Sequence, residues 1–423
     1  MEFQISELSS PRIAIDGFFF QIGKFGIARV WYCLLSAWVK SGFAKHLLII
    51  DRGGTAPKFP GVNYYQTPLV DLDNLARESI ALQAICDREK IDLFMSTCYT
   101  TPLTTPSLCL VHDLLQEVME IELNTPTTQE KFYAIYHATK YFAVSEHTAK
   151  DLQRFFPHIL KTTITTTLNG VSSDFYPPST DQIQVILARY KIFKPYFLVV
   201  GERYGYLTAG ERHYYKNAIH VFQAVAELPN HQAYLVVCVG GNRRLEPEIK
   251  TICRRANISV QLLSLDDQEL QSLYGGAIAL VYPSLYEGFG LPILESLACG
   301  CPVITCHNSA IPEVAGDAAI YISGEDVGEL TQALQQIQQP EIRQKLITAG
   351  LARSKQFSWA EMAAKIAKGL LGTYVELQAG ELPPHNPMWL QSRKLHIYQS
   401  GFWKLHQQWF KLKRIWRFAT SLR

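Results

Sequence analysis

The sequence predicts an α/β protein made of two parallel-sheet halves followed by a helical extension. Three observations carry that expectation. At 423 residues the chain is too long for one comfortable core. Short apolar runs alternate with helical patterns in two separate series, which implies parallel sheets. Turn residues at Asn169-Gly170 and Tyr176-Pro177-Pro178 divide those series. The expected units are residues 1–177, 178–374 and 375–423.

In the first half, residues 12–16 read as a strand, the loop from Gly17 to Gly26 follows, and residues 27–40 form an aromatic-rich helical pattern containing Arg29 and Trp31. Gly23 and Gly26 do not complete a GxGxxG fingerprint, so a dinucleotide site is not expected. The loop can still set backbone N–H groups against phosphate, which makes Gly26 a candidate contact; an ordinary tight connection is the competing reading. Strands at 46–50, 91–95 and 107–111, with a helical stretch at 71–89, continue the series. The run at 107–111 leads straight into His112 and Asp113. A strand's carboxyl end is where open α/β sheets bind ligands, although Asp113 as a helix cap beside a structural histidine reads equally well. A strand at 141–144, a capped helix from Ser145 through Phe155 and a β-rich run at 162–168 complete this half.

The second half has strands at 196–200, 233–239, 259–263, 277–282 and 302–305. Between the first two lies GERYGYLTAGERHYYKN, with Arg203, Arg212 and Lys216. Cations at a strand's carboxyl end can neutralise a diphosphate; a solvated basic loop is the alternative. The stretch 281–303, VYPSLYEGFGLPILESLACGCPV, joins a buried strand, an acidic loop and a helix. Glu287 stands in the loop, Gly288 and Gly290 permit close backbone approach, Pro292 suits a first helical turn and Gly300 a last one. The helix N-terminus then faces the crevice with free N–H groups. Glu295, expected on the first turn, offers two acceptor oxygens to sugar or ribose hydroxyls, or else caps the helix. Helical patterns at 325–338, 341–355 and 358–374 follow.

From residue 383 to 423 there is no acidic residue. Phe402, Leu405, Trp409, Leu412 and Trp416 recur at helical spacing, with Lys411, Lys413, Arg414 and Arg417 largely off that stripe. Such a helix can pack back on the first half or lie on an anionic bilayer.

Composition narrows the function. Charged residues at 18% and hydrophobic ones at 48% describe a globular chain, and a net charge of +2 argues against a nucleic-acid partner. The nine cysteines form no CxxC pair and no zinc spacing, so neither metal nor cofactor is expected and a reduced, cytoplasmic setting is. The N-terminus lacks a signal-peptide pattern, and no window reaches the roughly 18 apolar residues of a spanning helix. A peripheral place at the inner face of a membrane stays open through the tail.

Taken together, these motifs resemble glycosyltransferase family 4 (glycosyl transferases group 1), retaining enzymes of the GT-B fold. The most specific match is Glu287-Gly-Phe-Gly-Leu-Pro-Ile-Leu-Glu295, two glutamates separated by seven residues. Supporting matches are IDG with GIARV, VHDL at 111–114, AVSEHTAKDL at 143–152, NGV at Asn169 and the late PVITCHNSAIPEVAGDAAIY. The resemblance implies two Rossmann-like domains facing a cleft, with a glycan or lipid-linked acceptor on the first and a nucleotide-sugar donor on the second.

By that resemblance Arg203 and Lys216 hold the donor diphosphate, Glu295 the ribose, and Glu287 the transferred sugar or its neighbouring phosphate. Backbone N–H groups of Gly288, Phe289, Gly290 and Leu291 complete the phosphate site, and His112 orients the sugar. Two departures stand out: residues 204–215 separate Arg203 from Lys216, which leaves Arg212 as the alternative, and Lys24-Phe25-Gly26 replaces a smaller turn. The function implied is metal-independent, retaining hexosyl transfer in polysaccharide or glycolipid assembly; a non-catalytic binding protein or a sugar-nucleotide epimerase is the alternative.

Overall fold

The structure is a computed structural model describing residues 10–23, 26–70, 75–121, 123, 125–205, 207–208, 211–212, 215–383, 389–391 and 393–394, with backbone alone at 76, 207, 208, 211 and 212. The first domain runs β1 (Ile13–Asp16), α1 (Ile27–Ser41), β2 (Leu47–Arg52), β3 (Asn63–Thr67), α2 (Leu75–Arg88), β4 (Leu93–Ser96), β5 (Leu108–Val111), α3 (Leu115–Met119), α4 (Pro126–His137), β6 (Lys140–Ala143), α5 (Glu146–Phe155) and β7 (Ile164–Thr166). Its strands lie in the order β3-β2-β1-β4, and a bridge from Phe94 to Ser107 continues them into β5-β6-β7. All these pairings are parallel. The buried strands coincide with the apolar runs of the sequence. β3 does not: NYYQT is half exposed and has no apolar alternation to mark it.

The second domain contains α6 (Thr180–Arg189), β8 (Tyr196–Val200), β9 (Leu207–Thr208), β10 (Glu211–Arg212), α7 (Ile219–Glu227), β11 (Leu235–Val239), α8 (Pro247–Ala256), β12 (Ser259–Leu263), α9 (Asp267–Gly276), β13 (Ala279–Tyr282), α10 (Leu291–Ala298), β14 (Val303–Cys306), α11 (Ile311–Ala315), β15 (Ala319–Ile322), α12 (Val327–Gln336) and α13 (Pro340–Ser354). Its six-stranded parallel sheet has the order β12-β11-β8-β13-β14-β15. The order reverses between β8 and β13, the kind of switch point at which ligands bind beyond the strand ends. The apparent insertion after Arg203 forms the antiparallel hairpin β9–β10. Two parallel-sheet domains joined in this way are the GT-B fold.

The last helix departs from the expected division. α14 (Trp359–Gln378), placed by the sequence in the second unit, packs on the first. Its buried face, Met362, Ala363, Ile366, Leu370 and Tyr374, finds apolar partners there, while Trp38 Nε1 donates to the Ala363 carbonyl at 2.9 Å. Where the chain crosses back it touches the first crossing: a Cβ added to Gly170 would lie 2.1 Å from the Trp359 backbone nitrogen. Only glycine fits.

Beyond α14 the chain stays on the first domain. Trp389 stacks on His137 of α4, centroids 4.1 Å apart, and donates to the Tyr133 carbonyl at 2.8 Å. Arg393, fully buried, donates to both Glu130 oxygens at 2.7 and 2.6 Å and to Ser79 of α2. Trp389 and Arg393 thus lie against the first domain. The amphipathic stretch at 402–416 lies outside the described residues. Among the described residues no helix is long and apolar enough to cross a membrane.

Candidate active site

The site forms where the carboxyl ends of β5 and β6 meet the loop after β13. In that loop Glu287 Oε1 accepts from Lys216 Nζ at 2.6 Å and from the Tyr282 hydroxyl at 2.7 Å, and Lys216 also donates to the Tyr282 oxygen at 3.2 Å. Lys216 leaves the hairpin just ahead of α7, and the Glu287 backbone N–H is tied to Ser309 Oγ at 2.9 Å. Burial pushes the Lys216 ammonium down, but Glu287 and Tyr282 more than compensate and hold it above its ordinary value. The cation is permanent.

Gly288 presses this loop onto the other domain. An added Cβ would lie 1.9 Å from the His112 carbonyl oxygen. Ser145 and Thr148 hydroxyls donate to the Gly288 carbonyl at 2.8 and 3.1 Å, and Tyr286 donates to Asp151 at 2.7 Å. From α11, Glu313 accepts the backbone N–H groups of Glu146 and His147, each at 2.7 Å, so one domain's carboxylate caps the other's helix α5.

His112 is buried, and its Nε2 has no hydrogen-bond partner among the described residues. Burial pushes the imidazole down to about 4, Asp113 opposing and Lys131 adding to the shift. A neutral ring with one free nitrogen is fitted to hydrogen-bond a ligand hydroxyl. Asp113 accepts the Leu115 N–H at 3.1 Å, one residue ahead of Leu114, the N-cap of α3.

The remaining expected residues divide. Gly290, at φ 102°, caps α10, and Leu291 opens it. Glu295 lies a turn deeper than expected, since the first turn of α10 carries no acid. Its Oε2 accepts from Tyr274 at 3.2 Å and its Oε1 from Arg29 at 2.5 Å. The Phe289 ring is buried edge-on against Phe357, 5.8 Å away, leaving its backbone for a ligand. Gly26, at φ 46°, starts α1 and has open space where a Cβ would stand.

The Arg203 backbone adjoins the Lys216 segment, its carbonyl accepting the Ala218 N–H at 3.1 Å, but its guanidinium is engaged by the turn after β11. Fully buried, it donates to Glu246 at 2.8 Å and to the carbonyls of Asn242 and Arg244 at 2.6 and 3.1 Å. The reason is local. Burying a guanidinium requires a carboxylate and filled acceptors, and the turn after β11 supplies both. The backbone of Arg212 lies in β10, four residues before Lys216, and its side chain is outside the described residues.

Sequence reasoning passed over Arg29, Tyr282, Tyr286 and Glu313. Arg29 did leave a signal: it is the only charged residue of α1 before Lys40, an isolated cation on an otherwise apolar helix. Among the described residues, no group of three or more His, Cys, Asp or Glu is arranged to hold a metal ion.

The start of α10, the half-buried Lys216–Glu287 pair and the His112 imidazole thus lie where the two parallel-sheet domains meet. Residues 195–353 match the family model for glycosyl transferases group 1. The O-antigen chain mannosyltransferase B of Escherichia coli is 32% identical over 223 residues, 51% of this chain and 56% of that protein. The MMP alpha-(1->4)-mannosyltransferase of Mycolicibacterium hassiacum is 32% identical over 160 residues, 36% of this chain and 38% of that protein. The matched part thus spans about half the length of these relatives or less. In structure the chain is similar to WaaG, a glycosyltransferase involved in lipopolysaccharide biosynthesis, with a TM-score of 0.67 at 16% identity, covering 84% of this chain and 98% of WaaG.

Proposed function

We propose that the protein is a glycosyltransferase that moves a hexosyl group, mannosyl being the first candidate, from a nucleoside-diphosphate sugar to a hydroxyl of a growing glycan or glycolipid. The observation that carries this is the Lys216–Glu287–Tyr282 cluster pressed against the His112 strand end across the cleft. The group 1 family match and the relatives named as mannosyltransferases support it.

In this reading Lys216, Arg212 and the N–H groups from Gly288 to Leu291 neutralise the departing diphosphate without a metal. Arg212 takes the role first considered for Arg203. His112 holds a sugar hydroxyl, Glu287 the sugar ring's edge, and Glu295 the ribose. The anomeric carbon–phosphate oxygen bond breaks with its electron pair going to the phosphate. The acceptor oxygen bonds the same face, and its proton passes to that phosphate oxygen, so configuration is retained.

Nucleotide release from a panel of uridine, guanosine and adenosine diphosphate sugars, with and without crude glycan or lipid acceptor, tests the reading. Acceptor-stimulated release with an unchanged anomeric configuration is expected. Binding without release would make the chain a binding protein, and binding of none would defeat the assignment.

Residues 395–423 carry the proposed peripheral membrane contact, because the chain before them is already docked on the first domain. Removing only those residues should abolish co-sedimentation with anionic liposomes while leaving the melting temperature unchanged. Undiminished lipid binding by the shortened chain would sink the membrane role.

A further inference from the structure

Arg29 stands on α1 of the first domain, yet both of its ion-pair partners belong to the second. One guanidinium nitrogen donates to Glu295 Oε1 at 2.5 Å and another to Asp267 at the start of α9. Its Cζ lies 5.6 Å from the centre of the Phe175 ring. Tyr274 of α9 holds the other Glu295 oxygen.

The groups bearing on this carboxylate are Arg29 and Cys33 from α1, Asp267 and Tyr274 from α9, and Cys299 after α10, while Asp174 from the connection between domains bears on Cys33. Arg29 is the only cation among them. Burial pushes the Glu295 carboxyl up to about 7, and Arg29 is the strongest influence in the opposite direction. Burial likewise pushes the Arg29 guanidinium down, but Glu295 and Asp267 together hold it above its ordinary value. Without Arg29 the carboxyl would keep its proton to higher pH. A protonated Glu295 has one fewer acceptor position for a diol.

We propose that Arg29 is a positioning residue of the donor site, reaching from the opposite domain to hold Glu295 charged and oriented for the ribose hydroxyls. This rests on the assignment of Glu295 to the nucleoside made above. The nucleoside half-site is then built from both domains, so nucleotide affinity depends on the cleft being closed. Arg29 touches no reacting atom.

Calorimetry of the full chain with uridine, guanosine and adenosine diphosphate and their 2′,3′-dideoxy analogues, from about pH 6 to about pH 9, tests this. The wild type binds one ribonucleotide more tightly than its dideoxy form, and the gap widens as pH rises through about 7. In Arg29→Met the ribonucleotide loses about tenfold at neutral pH and recovers toward the alkaline end, while dideoxy binding is unchanged. Arg29→Lys restores part of the loss. In a Glu295→Gln background Arg29→Met adds nothing.

An Arg29→Met protein that weakens ribo and dideoxy forms alike, or neither, overturns the proposal. The ribose assignment survives that result if Glu295→Gln still erases the ribo preference. A wild type indifferent to the missing hydroxyls, or one that binds none of the three diphosphates, overturns both. Should Arg29→Met fail to fold, the pH profile of Arg29→Lys decides alone: an unshifted profile overturns the proposal.

Discussion

Lys216→Ala is expected to lose about a hundredfold to a thousandfold in turnover, the usual effect of removing one preorganised charge from a leaving-group site. Lys216 is half-buried and fixed by two hydrogen bonds, to Glu287 and Tyr282, so no rearrangement is needed to present its charge. The same deletion leaves a half-buried Glu287 without its cation, which would lower stability by itself. A Lys216→Ala/Glu287→Gln double variant separates the two effects. It should recover melting temperature toward wild type and remain inactive. Wild-type turnover by a folded Lys216→Ala protein would remove Lys216 from the diphosphate site.

Gly288→Ala should prise the domains apart. The added methyl carbon would fall 1.9 Å from the His112 carbonyl oxygen and 2.9 Å from Asp113 Cβ, and a backbone carbonyl has no flexible end to give way. Relief requires the loop to withdraw, which also breaks the hydrogen bonds from Ser145 and Thr148. Turnover should fall at least about tenfold, a barrier increase of about 1.4 kcal/mol. The radius of gyration from small-angle scattering should rise, and the Lys216–Glu287 pair, internal to the second domain, should persist. Wild-type turnover with unchanged scattering would show that the contact is dispensable.

The sequence revealed the parts of this molecule whose causes are local. Buried parallel strands read as apolar runs because both sheet faces are covered. Glu287, Gly288 and the proline-started α10 were readable because loop, close approach and helix start each demand particular residue types. Pairings made by distant chain did not show. Arg203 meets a glutamate 43 residues on, and Arg29 meets Glu295 across 266 residues, distances at which no periodicity signals a partner. β3 and the short α3 failed for the opposite reason: neither carries enough apolar pattern to distinguish it from a loop.

The return of α14, Trp389 and Arg393 to the first domain also bears on how the chain is made. Synthesis delivers residues 10–170 first, but Trp38 and Phe142 are covered by α14, and Glu130 is paired by Arg393. Until residues 359–393 have been made, that domain carries an open apolar seat and a carboxylate without its arginine. The second domain is continuous from about residue 178 to 354 and contains all six strands of its sheet, so it can close while the earlier one waits. Of these two domains the one made earlier is the one completed later, and a ribosome stalled before Trp359 would hold a second domain already closed beside a first that is not.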